Sequence, residues 1–185
     1  VIVTATRTAK TVDETLSSVT VISRKDIERR QARSVEDLLR GTQGISIANS
    51  GGAGKNTSVF IRGTNSDHVL VLIDGIRAGS ATSGGAAYEN IPIEQIERVE
   101  IVRGPRSSLY GSEAIGGVIQ IFTRKGGKEG VTPSFSYGGG SYGTFNGSAG
   151  LSGRSKRGWF NMNISGKKTK GFNACSGKPF PNGAG

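Results

Sequence analysis

Cysteine and histidine are almost absent from this chain, with one of each, Cys175 and His68. One cysteine excludes an internal disulfide, and no Cys/His spacing for zinc exists. No Ser-His-Asp arrangement exists either, and His68 lies in a polar turn, so nothing points to catalysis. No apolar run reaches about 18 residues, which leaves no candidate for a transmembrane helix. Hydrophobic residues are 34% and aromatic residues 6% of the chain. That is low for a self-sufficient globular core, and less unusual for β segments with one face meant for another environment. Glycine is in excess instead: there are 30 in 185 residues, against a usual share of about 7%. They cluster in 41–54, 75–86, 111–117 and 126–158.

The net charge of +10 is unevenly placed. Residues 1–122 carry 14 Lys/Arg and 13 Asp/Glu, whereas 123–185 carry 10 Lys/Arg and only Glu129. The front is balanced and the tail is basic. With no aromatic–basic signature and no recognition helix, nucleic acid is not an expected partner.

Hydrophobic periodicity divides the chain at the same place. Ahead of the Lys/Gly-rich joint at 124–130, the pattern predicts an α+β unit. Strands are expected over 19–22, 45–48, 57–62, 69–73, 99–102 and 118–122. Ser23 and Ser34 have capping-box-like spacing and open helices over about 24–31 and 35–41. Pro92 opens a further short helix to about 97. The unbroken apolar run Val69–Ile73 reads as a central strand buried on both faces. Arg98 and Glu100 share a strand face and can pair.

Beyond the joint the period changes to two. Val131, Pro133, Phe135 and Tyr137 oppose Thr132, Ser134 and Ser136. Phe145, Gly147, Ala149 and Leu151 oppose Asn146, Ser148, Gly150 and Ser152. Phe160, Met162 and Ile164 oppose Asn161, Asn163 and Ser165. Apolar on one face and Asn/Ser/Gly on the other fits the strands of a transmembrane β-barrel, and also a soluble antiparallel sheet with one face on a core. Three strands cannot close a barrel, which takes about eight, so a barrel would be incomplete within this chain. Phe172–Gly185 has no regular pattern and reads as part of a loop.

Two glycine-rich loops are candidate binding elements. Ser50-Gly-Gly-Ala-Gly-Lys-Asn-Thr57 fails as a phosphate loop. Asn49 and Asn56 stand where the Walker pattern needs Gly and Ser/Thr, and a strand rather than a helix follows. Its small residues allow close approach of a neutral partner, with Ser50, Asn56 and Thr57 supplying hydrogen bonds. Thr82-Ser-Gly-Gly-Ala-Ala87 has the same character. Arg62 and Arg103 each end an apolar strand ahead of a glycine. If buried, each needs a carboxylate or carbonyl partner, because an unpaired buried charge costs several kcal/mol.

The richest motif is the run 98–123, with Arg103-Gly-Pro105, Tyr110-Gly111 and Ile115-Gly-Gly117 between two β-branched segments. Together with Phe60-Ile-Arg-Gly-Thr-Asn65 and His68-Val-Leu-Val-Leu-Ile-Asp-Gly75, it resembles the plug of the TonB-dependent outer-membrane transporters. The likeness is greatest to the branch that imports cobalamin (vitamin B12). The resemblance implies a bacterial outer-membrane protein in three parts: a TonB box at 1–6, a plug at 7–125, and the first barrel strands with a partial loop at 126–185. It implies that Val1, Ile2, Val3, Thr4 and Ala5 add as a strand to TonB. It implies that Ser50, Asn56, Thr57, Asn65, Thr82, Ser83, Gly84 and Ala86 lie at apices contacting the ligand. Gly84 and Ala86 stand where that branch carries hydroxyl side chains. It implies that Arg62 and Arg103 pair with barrel glutamates beyond residue 185, and that the barrel faces outer-membrane lipid. No cofactor or metal is implied within this stretch. A siderophore or haem as cargo, and a soluble small-molecule-binding module, are the alternative readings.

Overall fold

The computed structural model describes residues 18–51, 55–80, 85–126 and 129–171. The chain forms two compact units, Val1–Arg124 and Lys125–Gly185.

In the first unit, β1 (Ser18–Ser23) leads into α1 (Arg24–Arg30) through a capping box. The Ser23 hydroxyl accepts from the Asp26 backbone N–H, and the Asp26 carboxylate accepts from the Ser23 backbone N–H at 3.1 Å. Hydrogen bonds from the Ser23 hydroxyl and backbone hold the Asp26 carboxyl below its ordinary value. The cap is therefore complete above the ordinary carboxylate range and is lost as pH falls through the depressed value. α2 (Val35–Leu39) starts at Ser34, whose side chain accepts from Asp37 N–H. The hairpin β2 (Ile45–Asn49) and β3 (Thr57–Ile61) follows, and then β4 (Val69–Ile73) and β5 (Ile76–Arg77). β6 (Ile96–Arg103), α3 (Ser107–Tyr110) and β7 (Gly117–Thr123) complete the unit.

The main sheet has the order β1-β6-β7-β4-β5, with β4 parallel to β7 and the other pairs antiparallel. β4 is buried on both faces as its sequence requires, but β7 holds the middle position. Val69 and Val71 join Val99, Ile101, Ile119 and Ile121 on the face covered by the helices and the hairpin. Leu70, Leu72 and Val118 point to the other face, where Ala114 and Tyr110 of the β6–β7 connection fold back over them. Glu100, fully buried on that second face, pairs with Arg98 at 2.8 Å, and the Arg98 guanidinium lies 3.6 Å from the Phe122 ring centroid.

One local expectation differs from the structure. Pro92 opens only a 3-10 turn, Ile93–Gln95, before β6 begins at Ile96. Ile96, Val99 and Ile101 are drawn into the sheet and core, which ends the turn early. The β6–β7 connection contains the single-turn helix α3, anchored by Arg77: its guanidinium donates to the Tyr110 carbonyl at 3.0 Å and pairs with Glu113 at 3.1 Å.

The second unit is an antiparallel sheet of β8 (Gly130–Gly140), β9 (Thr144–Ser155) and β10 (Gly158–Lys168). Its register aligns the three apolar parities. Val131, Gly153 and Phe160 form one row; Pro133, Leu151 and Met162 the next; Phe135, Ala149 and Ile164 a third. This common face is bare, with Phe135 81% and Ile164 74% exposed. A one-residue slip in either pairing would mix the faces, so the pattern and the ladder specify each other.

Glycine is obligatory where β6 meets β7. A Cβ on Gly117 would lie 2.4 Å from the Val102 carbonyl oxygen, and one on Gly116 2.0 Å from Thr64 Oγ1. The Thr64 hydroxyl is itself fixed by donating to the Ile61 carbonyl at 2.8 Å. At Gly63 nothing lies within 4 Å of a Cβ, but φ is +78°. Denaturation of this chain should rank alanine substitutions accordingly. Gly117→Ala should cost about 3 kcal/mol, because backbone must move. Gly116→Ala should cost about as much, because rotating Thr64 would break its bond to Ile61 and still leave Thr64 Cβ at 3.0 Å and the His68 carbonyl oxygen at 3.2 Å, whereas Gly63→Ala should cost about 1–2 kcal/mol from backbone strain alone.

Candidate functional site

β2 and β3 run in register up to the pair Asn49–Thr57, beyond which Ser50, Gly51, Lys55 and Asn56 are the described residues of the connecting loop. Ser50 N–H donates to the Asn56 carbonyl at 3.1 Å, and Gly51 N–H donates to Asn49 Oδ1 at 2.9 Å. Ser50 and Asn56 are exposed at the rim. Asn65 is exposed too, its Oδ1 accepting from Ser66 N–H at 3.1 Å at the start of the 3-10 turn Ser66–His68.

Thr57 does not stand at the rim. It is only 3% exposed, and its hydroxyl donates to Glu36 Oε1 at 3.2 Å while accepting from Asn49 Nδ2 at 2.8 Å. Thr57 shares strand parity with Val59 and Ile61, both buried, and this parity points it inward. Ala86 is likewise buried and belongs to the core cluster with Tyr88. It closes the foot of the second loop by bridging to Gly79, supported by Ser80 N–H donating to the Gly85 carbonyl at 2.9 Å. Both side chains are buried rather than exposed at the rim. Thr82, Ser83 and Gly84, and Val1 to Ala5, lie outside the described residues.

Glu36 was not singled out by its sequence position, yet it is central here. Glu36 is 6% exposed in α2, and no cation pairs with its carboxylate among the described residues. α2 also packs against the 3-10 turn Tyr88–Asn90 at the foot of the second loop. Burial pushes the Tyr88 hydroxyl well above its ordinary pKa. Both loop feet thus rest on one short helix.

The two strand-ending arginines come together beneath this region. Arg103 is 7% exposed and Arg62 is exposed. Arg103 donates to the Gln43 carbonyl at 2.7 Å, Thr20 Oγ1 at 2.8 Å and Ser18 Oγ at 3.4 Å. Gly44 lies between the two: a Cβ there would be 3.3 Å from Arg103 Cδ and 4.0 Å from Arg62 Cγ. Burial, and then the nearby Arg62 charge, lower the Arg103 pKa. Neither arginine has a carboxylate partner among the described residues. Neutral acceptors therefore satisfy the donors of Arg103 without neutralising its charge.

Arg103→Ala should lower the stability of this chain by about 2–3 kcal/mol, since it removes charge-assisted hydrogen bonds and orphans the Gln43 carbonyl. Arg62→Ala should change it by less than about 0.5 kcal/mol, as expected for an exposed side chain. Denaturant titration of both variants checks the contrast.

Known proteins agree with this architecture. Residues 11–118 match the family model described as the TonB-dependent receptor plug domain. The chain is 41% identical over 182 residues to a protein of Vibrio cholerae named vitamin B12 transporter BtuB, covering 98% of this chain and 29% of that protein. The chain thus spans less than a third of the length of the curated relatives it matches. The pyoverdine outer-membrane receptor FpvA of Pseudomonas aeruginosa superposes with a TM-score of 0.77 over 91% of this chain and 24% of its own, at 23% identity, which speaks to the fold alone. The siderophore receptor PirA of Acinetobacter baumannii gives a TM-score of 0.63 at 27% identity over 83% of this chain and 25% of its own. With a mixed sheet closed by a glycine-rich connection and a bare-faced antiparallel sheet following it, the chain belongs to the TonB-dependent receptor plug-domain family of the Gram-negative outer membrane.

Proposed function

We propose that the protein carrying this chain imports a scarce nutrient across the outer membrane by a TonB-dependent mechanism, and that the nutrient is cobalamin or a related corrinoid. The observation that carries the cargo is the 41% identity to the vitamin B12 transporter of Vibrio cholerae over nearly the whole chain. The siderophore receptors it resembles in structure are 22–27% identical. Three neutral rim side chains support the same reading, with Lys55 the one charged side chain among the described residues of the first loop. Ser50, Asn56 and Asn65 offer neutral hydrogen-bonding groups, which suit a corrinoid's amide side chains better than an anionic siderophore.

In this reading the exposed rim residues, with Thr82, Ser83 and Gly84, meet the ligand. Thr57 and Ala86 hold the loops from beneath. The apolar face of β8–β10 meets lipid, which explains why large side chains such as Phe135 and Ile164 are bare: a strand row of this kind is the outward half of a barrel wall. A soluble module would leave that face in water. Arg62 and Arg103 meet carboxylates of the barrel wall. Such a pair in a water-poor lumen holds the plug in place until work is done on it, because separating buried opposite charges costs about 3–5 kcal/mol.

The work enters at Val1–Ala5. Their β-branched side chains favour an extended strand that adds to a sheet edge of TonB. Ligand binding makes the segment available, TonB pulls, and part of the plug shifts to open a path. Deleting Val1–Ala5 in the full-length protein should abolish uptake of labelled cyanocobalamin by cells while leaving its binding to the cell surface unchanged. Retained uptake would refute the coupling.

A further inference from the structure

We infer that Glu36 is a positioning residue for the 50–56 loop, an assignment that rests on the reading of that loop as a ligand contact. Three hydrogen bonds run in one direction from the loop backbone to the Glu36 carboxylate. Gly51 N–H donates to Asn49 Oδ1 at 2.9 Å, Asn49 Nδ2 donates to Thr57 Oγ1 at 2.8 Å, and Thr57 Oγ1 donates to Glu36 Oε1 at 3.2 Å.

The direction is set at the buried end. A carboxylate only accepts, so the single hydroxyl proton of Thr57 points to Glu36. The Lys55 carbonyl, at 3.3 Å, competes for the same proton but is the weaker acceptor. With its proton committed, Thr57 Oγ1 presents a lone pair to the hairpin. That lone pair, with the Lys55 carbonyl accepting from the same Asn49 Nδ2 at 3.5 Å, selects the amide nitrogen of Asn49 on this side and turns Asn49 Oδ1 towards Gly51. The orientation of a buried carboxylate is thereby passed to the backbone at Gly51, an exposed residue of the loop.

Burying Glu36 without a cation is unfavourable unless the carboxylate has a specific task. Stability alone does not account for it, since an apolar residue at this position would pack against the same core. Leu38, Leu39, Val35 and Val59, all in that core, are fully or almost fully buried. What an apolar residue cannot do is fix the Thr57 hydroxyl. Because α2 also packs against the turn at the foot of the 80–85 loop, Glu36 ties the first loop to the element that supports the second.

The test uses full-length protein, cyanocobalamin as the probe, and hydrogen exchange of the 50–56 segment as a readout independent of any ligand. Glu36→Leu should weaken cyanocobalamin binding at least tenfold and speed exchange of the segment at least threefold. Glu36→Gln, whose amide oxygen still accepts from Thr57, should stay within threefold of the parent in binding. Thr57→Val should match Glu36→Leu, the double variant should be no worse than either single one, and Thr57→Ser should bind as the parent does. A Glu36→Leu protein with unaltered binding and exchange would overturn the assignment. So would a Gln variant as poor as the Leu variant, or additive effects of the two sites. A parent protein that binds no cyanocobalamin, yet shows the exchange pattern, would overturn the cargo reading and support the positioning role of Glu36.

Discussion

The tight packing at Gly116 and Gly117 is the constraint on which the rest of the first unit depends. Gly117 pairs with Arg103 of antiparallel β6 on one side and with Val69 of parallel β4 on the other. Gly116 donates to the His68 carbonyl and accepts from Gly104 N–H, both at 2.9 Å. Three chain segments therefore meet where no side chain fits. The meeting point brings the end of β6, and with it Arg103, against the turn that carries Gly44, and it lets the β6–β7 connection fold back to cover Leu70, Leu72 and Val118. A Cβ here would not merely strain a turn; it would separate the strands that define the sheet.

Energetically the first unit is complete in its core and incomplete in its charges. Most of its apolar residues are enclosed, with Ile76, Leu109 and Ile115 the large exposed ones among the described residues, and Glu100, fully buried, pairs with Arg98. The two arginines brought together at Gly44 are different, because one is buried on neutral acceptors and the other repels it from nearby. Like charges held together in this way are stable only if the surrounding fold is strong or an anion arrives from elsewhere. The second unit is incomplete in the opposite sense. Its backbone ladder is regular and its polar face is mostly Ser, Asn and Gly with Arg154 and Lys167 towards the strand ends, but the opposite face, with Phe135, Met162 and Ile164, is uncovered among the described residues. Each unit thus presents what a surrounding barrel and membrane would supply.

Much of this was legible in the residues. Ser23 and Asp26 announce the first cap because a short hydroxyl and a carboxylate three residues apart can satisfy each other's backbone. The strict alternation from Val131 to Ile164 yields not only the strands but their register. The Arg98–Glu100 pair follows from parity alone. What the residues hid were interactions whose partners are distant in sequence. Thr57 looks like a loop hydroxyl until it is counted with Val59 and Ile61, when parity turns it inward. Even then Glu36, 21 positions earlier, cannot be identified as its acceptor without the fold. Ala86 reads as part of a small-residue loop, whereas the bridge to Gly79 makes it the loop's buried foot. Pro92 signals a helix start correctly, but the pull of Ile96 into the sheet ends it after one turn, a tertiary effect no local signal carries.

The central claim is that a plug with small, hydrogen-bonding rim residues and two converging arginines belongs to a corrinoid importer. Equilibrium binding to the detergent-solubilised full-length protein tests it most directly, with cyanocobalamin measured against a panel of ferric siderophores and haem. The account predicts saturable cyanocobalamin binding at least a hundredfold tighter than any siderophore or haem. Tight binding of a siderophore or haem with no measurable affinity for cyanocobalamin would contradict it.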